Sequence, residues 1–106
     1  MTEIHVTGTP EQDIKKQIKS YLNDNGIYWI PTKGGPHTRA GDPDLIVCYR
    51  GYFVGIEAKT RTGRQHGQQK LRQKQIETNG GTYIIARSVG DVRESLEKID
   101  KNQVKK

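Results

Sequence analysis

A chain of 106 residues with 31% hydrophobic residues, one Trp and one Phe holds material for one domain with a modest core and leaves none for a second. Eighteen Lys and Arg against 12 Asp and Glu give a formal charge of +6 and a pI of about 9.6, a surface suited to a polyanion rather than an acidic partner. No apolar run reaches membrane length, no N-terminal signal pattern is present, and a single cysteine excludes an internal disulfide. Cys48 lies in an apolar strand run, so it is expected as a buried core thiol in a reducing, cytosolic compartment.

Residues 1–8 carry no periodic pattern and are expected as an edge strand or a loose end. "TPEQ" then reads as a helix start, with Thr9 as cap, Pro10 in the first helical position and Gln12 completing a capping box. Ile14, Ile18, Tyr21 and Leu22 form the stripe of that helix, which "DNG" at Asp24–Gly26 ends. "IYWI" at Ile27–Ile30 is a β-type run stopped by Pro31. A long, Gly-rich, basic loop follows, "TKGGPHTRAGDP" at Thr32–Pro43.

Two apolar runs flank Arg50-Gly51 and predict a hairpin. A turn there pairs Tyr49 with Tyr52, Val47 with Val54 and Leu45 with Ile56. Leu45, Val47, Val54 and Ile56 read as the core face, and Tyr49 and Tyr52 fall on that side. The same register places Asp44 opposite Glu57, and like charges so placed repel. Glu57 and Lys59 are two apart on a strand, so they share a face with Asp44 and Gly55. Glu11 lies three residues before Ile14 and points along the apolar stripe toward the sheet. Three carboxylates and a lysine are thus expected to converge.

A hard divalent cation would resolve that repulsion. Mg²⁺ needs only one or two protein carboxylates beside a substrate phosphate. Lys59 could then orient water or balance charge on phosphorus. Bland readings exist for each residue: Asp44 beginning a strand, Glu11 complementing a helix dipole, Lys59 paired with Asp42 across the hairpin. The direct opposition of Asp44 and Glu57 weakens them taken jointly. His5, His37 and His66 are scattered singly, without metal-ligand spacing.

"TRTGRQHG" after Lys59 is a turn region. Gln68–Asn79 reads as a polar helix with Gln69, Arg72, Gln73 and Ile76 on one face, ended by Gly80-Gly81. Lys59 to Ile76 carries Lys59, Arg61, Arg64, Lys70, Arg72 and Lys74 and no acid, a candidate phosphate track. Lys15, Lys16, Lys33 and Arg39 are further candidate DNA contacts. "TYIIAR" at Thr82–Arg87 is a strand. Ser88 with Asp91 opens a last helix with the stripe Val89, Val92, Leu96 and Ile99. The domain core spans about residues 10–100, and the basic tail from 101 to 106 is expected to fray. The order α-β-β-β-α-β-α indicates an α/β layer structure on a mixed sheet flanked by helices.

"GDPD", a gap, and then "IEAK" resemble the PD-(D/E)XK nuclease motif. From Pro10 to Ile99 the chain resembles the stand-alone VRR-NUC domains of that superfamily, often carried by phages. The resemblance rests on Glu11, Gly41-x-Pro43-Asp44, Glu57-x-Lys59, Gln69 leading through Ile76 to Gly80, and "IIARSVGDV". It implies a restriction-endonuclease-like core and a Mg²⁺- or Mn²⁺-dependent deoxyribonuclease. Asp44 and Glu57 would bind metal with the Ala58 carbonyl, Lys59 would assist the nucleophile, and Glu11 and Gln69 would match the family's first-helix acid and its glutamine. Asp42, an extra acid beside the motif, is an alternative ligand. Resemblance to archaeal Holliday-junction resolvases implies a homodimer acting on branched DNA. A catalytically silent DNA-binding module is the alternative, and two opposed carboxylates near phosphate argue against it. "GIY" at Gly26–Tyr28 matches half of the GIY-YIG signature, but no YIG-like strand follows. RNA readout lacks an aromatic strand motif.

Overall fold

The computed structural model describes residues 10–32 and 39–104, with side chains to residue 102. The expected Thr9 cap, His5, His37, Lys33 and most of the basic loop lie outside the described residues. Helix α1 spans Pro10–Asp24, and Pro10 opens it as expected. Strand β1, Tyr28–Pro31, extends one residue past Ile30 because Pro31 still pairs with Leu45 at the sheet edge. Strands β2, Leu45–Tyr49, and β3, Tyr52–Ala58, form the hairpin. Helix α2 spans Gly67–Thr78, strand β4 spans Thr82–Ala86, and helix α3 spans Val89–Val104. The last helix therefore runs past the expected start of fraying.

One mixed sheet has the order β1-β2-β3-β4. The first three strands are antiparallel, and β4 joins β3 in parallel through the α2 crossover. The hairpin register is the expected one: Leu45 with Ile56, Val47 with Val54, Tyr49 with Tyr52. Arg50 and Gly51 both take positive φ, 55° and 85°, the conformation that matches a two-residue turn to strand twist. Arg50 accepts a conformation that favours glycine, and its side chain is tied down elsewhere. Its Nε meets Asp100 Oδ1 at 2.7 Å, and its guanidinium stacks over the Tyr49 ring.

The period-2 pattern sorts the two sheet faces. Leu45, Val47, Val54, Ile56, Ile84 and Ala86 form one face and pack against Ile18 and Leu22 of α1 and Val92, Leu96 and Ile99 of α3. This is the core; Tyr49 and Tyr52 lie against its rim. The other face is covered only in part. Helix α2 lies over β3 and β4, where Ile76 approaches Gly55. Across β1, β2 and the start of β3, no helix follows among the described residues. Tyr28, Cys48 and Phe53 are consecutive partners across three strands, and all three are exposed. Cys48 is thus not a core thiol. Its run is apolar on both sides, so alternation could not tell which face is covered.

Candidate active site

The ladder between β2 and β3 ends at Leu45 and Ile56. Asp44 does not continue it to oppose Glu57 as a paired residue. Its backbone carbonyl accepts the Thr32 N–H at 3.0 Å, and its Oδ2 accepts the Ala58 N–H at 2.9 Å. A carboxylate thus takes over where the backbone ladder stops. The carboxylate reaches past the backbone of Glu57 to that of Ala58. Asp44 and Glu57 are 3% and 1% exposed, so both acids are buried at one end of the sheet.

The approach depends on two glycines. Gly41 has φ 86°, and a Cβ there would stand 2.4 Å from the Gln68 carbonyl oxygen. Gly55 lies under Pro43, whose Cγ would be 2.8 Å from an added Cβ. The segment Gly41–Asp44 is therefore wedged between the start of α2 and β3, and Thr32 Oγ1 donates to the Pro43 carbonyl behind it.

Gln69 ties α2 to the site. The residue is 2% exposed; its Nε2 donates to Glu57 Oε2 at 2.7 Å, and its Oε1 accepts the His66 N–H at 3.1 Å. Both ends of the amide are used, which fixes its orientation and holds the Glu57 carboxylate. His66 itself precedes α2 and plays that capping part. Gln69 shares the expected packing face with Arg72, Gln73 and Ile76; all four are buried or half-buried, while most of the helix is exposed.

Two lysines stand beside the acids. Lys59 Nζ lies 4.0 Å from Glu57 Oε2, and Lys15 Nζ lies 3.6 Å from Asp44 Oδ1. Lys15, a candidate DNA contact, has a side chain 24% exposed and turned to Asp44. Glu11 reaches the site only through it, 3.9 Å from Lys15 Nζ and 39% exposed. The expected convergence of three acids and one lysine is therefore two buried acids, two lysines and a marginal third acid. Among the described residues no three His, Cys, Asp or Glu cluster closely enough to cage a metal. Two carboxylates with a neighbouring main-chain carbonyl at Ala58 still fit what Mg²⁺ or Mn²⁺ takes from a protein when phosphate and water supply the rest.

Asp42 belongs elsewhere. It meets Arg39 at 3.3 Å and Arg72 at 3.4 Å rather than Lys59. Arg61, Arg64, Lys70 and Lys74 are exposed on the loop after β3 and on α2, and Lys16 is exposed on α1.

Two residues of the site were not singled out from the sequence. Tyr83 pairs with Gly55 in the parallel ladder and so faces α2 with Glu57. Burial pushes its hydroxyl up to about 12; the Glu57 and Asp44 charges add to the rise and the Gln65 amide opposes it. Its place beside both carboxylates follows only from the β3–β4 register. Arg87 follows β4 and donates through one nitrogen to the Thr60 carbonyl and to the Gly63 carbonyl at 2.7 Å, with Arg61 O at 3.4 Å. It gathers the turn directly after Lys59. The "IIAR" motif marked the position without its role.

A mixed four-stranded sheet between helices, with two acids and a lysine at one end of a hairpin, is a restriction-endonuclease-like core. Its fold is that of the VRR_NUC domain. A solved structure described as a VRR_NUC domain superposes with a TM-score of 0.70 at 23% identity, covering 85% of this chain and 97% of that one. A second, described as a VRR_NUC domain protein, gives 0.65 at 19% identity over 88% of this chain and 89% of the other. No family model matches the sequence, and no curated protein does.

Proposed function

We propose that this protein is a Mg²⁺- or Mn²⁺-dependent endonuclease that hydrolyses DNA phosphodiester bonds, preferentially in branched DNA such as four-way junctions. The observation that carries this reading is the buried pair Asp44 and Glu57 at one end of the sheet, held by neutral donors and bordered by Lys59 and Lys15. Two buried carboxylates repel a polyanion, so a protein that only bound DNA would gain nothing from them. The VRR_NUC fold adds weight.

Asp44, Glu57 and the Ala58 carbonyl would hold the metal. A bound divalent cation supplies Lewis acidity toward a phosphoryl oxygen. The Ala58 amide and the Gln69 amide fix the two carboxylates before substrate arrives, so little reorganisation remains for the reaction. Lys59, half-buried next to Glu57, holds positive charge where water attacks and negative charge develops. Arg61, Arg64, Lys70 and Lys74 would neutralise flanking phosphates.

The working unit is proposed to be a homodimer in the cytoplasm of a cell or of a phage host. Two sites would then face two opposed strands. Exposed Tyr28 and Ile30 on edge strand β1 support association. No described helix is long and apolar enough to cross a membrane.

The test is cleavage of end-labelled four-way junction, flap, duplex and single strand with Mg²⁺, Mn²⁺ or EDTA, alongside light scattering at micromolar protein. Cutting only with metal, strongest on the junction, and twice the 12.0 kDa chain mass are expected. Binding without cutting in either metal would replace the enzyme with a silent binding module.

A further inference from the structure

A cavity of about 540 Å³ opens on the α2 side of the sheet, beyond the carboxylates. Its size falls within the range of small-molecule sites. Ile46 and Phe53 from the hairpin and Ile76 from α2 give it apolar walls. Arg39 and Arg72 lie on its rim and share Asp42, with Arg72 also bonded to Gln75 Oε1 at 2.9 Å. Two guanidinium groups against one carboxylate leave the rim positive. Asn79 and Gln75 add amide groups, and Phe53, 48% exposed, offers an open ring face.

These are the parts that recognise a nucleotide: an aromatic face for the base, amides for its edge and arginines for its phosphate. The cavity also neighbours the acid pair. Pro43 lines it, and the next residue is Asp44. Gly55, packed under Pro43 and Ile76, forms the partition between them.

We propose that this cavity receives one unstacked nucleobase of the bound strand, next to the phosphate presented to Asp44 and Glu57, with Arg39 and Arg72 against a flanking phosphate. The ligand's identity rests on the nuclease reading above. The base is held by its π-face and by adaptable amides, so the cavity selects DNA that can release a base, at a branch or in a single strand, over intact duplex. The two arginines and two amides of the lining and the net positive charge fit a nucleotide better than an apolar peptide.

The experiment places 2-aminopurine singly at successive positions of a short single strand and of a four-way junction. Emission is read on binding in EDTA, with cleavage by the same wild-type protein measured beside it in Mg²⁺. A change of emission confined to one position next to the cut is expected. Phe53→Ala should remove that signal and weaken binding about fivefold to a hundredfold, and Phe53→Trp should restore both. Phe53 is half outside the fold, so an unchanged unfolding midpoint is expected and serves as the control. A uniform emission change along the strand, or wild-type behaviour of Phe53→Ala, with cutting intact, would overturn the cavity alone. Absence of any DNA binding would overturn both the cavity and the nuclease.

Discussion

Two acidic clusters in this protein are built in opposite ways. Asp100 of α3 sits at the surface, yet its carboxylate takes a 2.7 Å bond from the Tyr49 hydroxyl and another from Arg50 Nε. Asp44 and Glu57 are buried, and among the described contacts their lysines lie at 3.6 Å and 4.0 Å, while their short bonds come from an amide N–H and a glutamine. A fold arranged for stability alone would place its best-matched ion pair where water is excluded, because a buried charge is costly unless closely paired. Here the tight pair ties a hairpin turn to a helix, and the buried acids take their shortest described bonds from neutral donors. On the proposed reading, the contrast is between an acid that holds structure and acids that serve a ligand.

That distinction can be broken by substitution. The largest effect is expected at Lys59→Ala, with cleavage reduced on the order of a hundredfold to a thousandfold and little change in junction affinity. Single-turnover cleavage beside a binding titration checks it, and a loss confined to affinity would make Lys59 a phosphate contact only. Gly41→Ala acts on the wedge behind Asp44. A left-handed residue and a Cβ driven into the Gln68 carbonyl should together cost about 1–3 kcal/mol in a urea titration. Activity should fall further than the folded fraction does, because Pro43 and Asp44 must shift.

The smallest effect is expected at the surface cluster. The Tyr49 hydroxyl and then the Arg50 guanidinium hold Asp100 below the ordinary carboxylate value. The unfolded chain therefore binds the proton first as pH falls. Stability from Asp100 is present above its unfolded pKa and disappears as pH drops through the lower folded one. Asp100→Asn should lower the thermal midpoint slightly at neutral pH, match the wild type in strong acid, and leave cleavage unchanged. Salt should shrink the difference as well.

Much of this arrangement was readable in the sequence because it is local. Alternation on either side of Arg50-Gly51 set the hairpin register, and Gln69 fell on the packing face of α2 by its 3.6-residue spacing. What depended on distant packing was not readable. Cys48 is exposed because, among the described residues, α2 stops short of β1 and β2, and no local pattern marks where a helix on the far side of a sheet ends. Lys15, one of the candidate DNA contacts, turns inward to Asp44, a partner the sequence does not place near it. Asp44 was expected to face Glu57 in the ladder, but the ladder ends one residue early and its side chain substitutes for the missing strand partner at Ala58. Tyr83 enters the site through a parallel pairing that closes only after the α2 crossover.

The most direct measurement pairs cleavage with thermal unfolding in Glu57→Gln. The amide keeps the shape and can still accept the Gln69 bond, while the buried charge is gone. Lost cutting with an unchanged or raised midpoint is the expected result, because on the proposed reading the charge serves the ligand and not the fold. Retained cutting with a lowered midpoint would contradict it and make Glu57 a structural acid like Asp100.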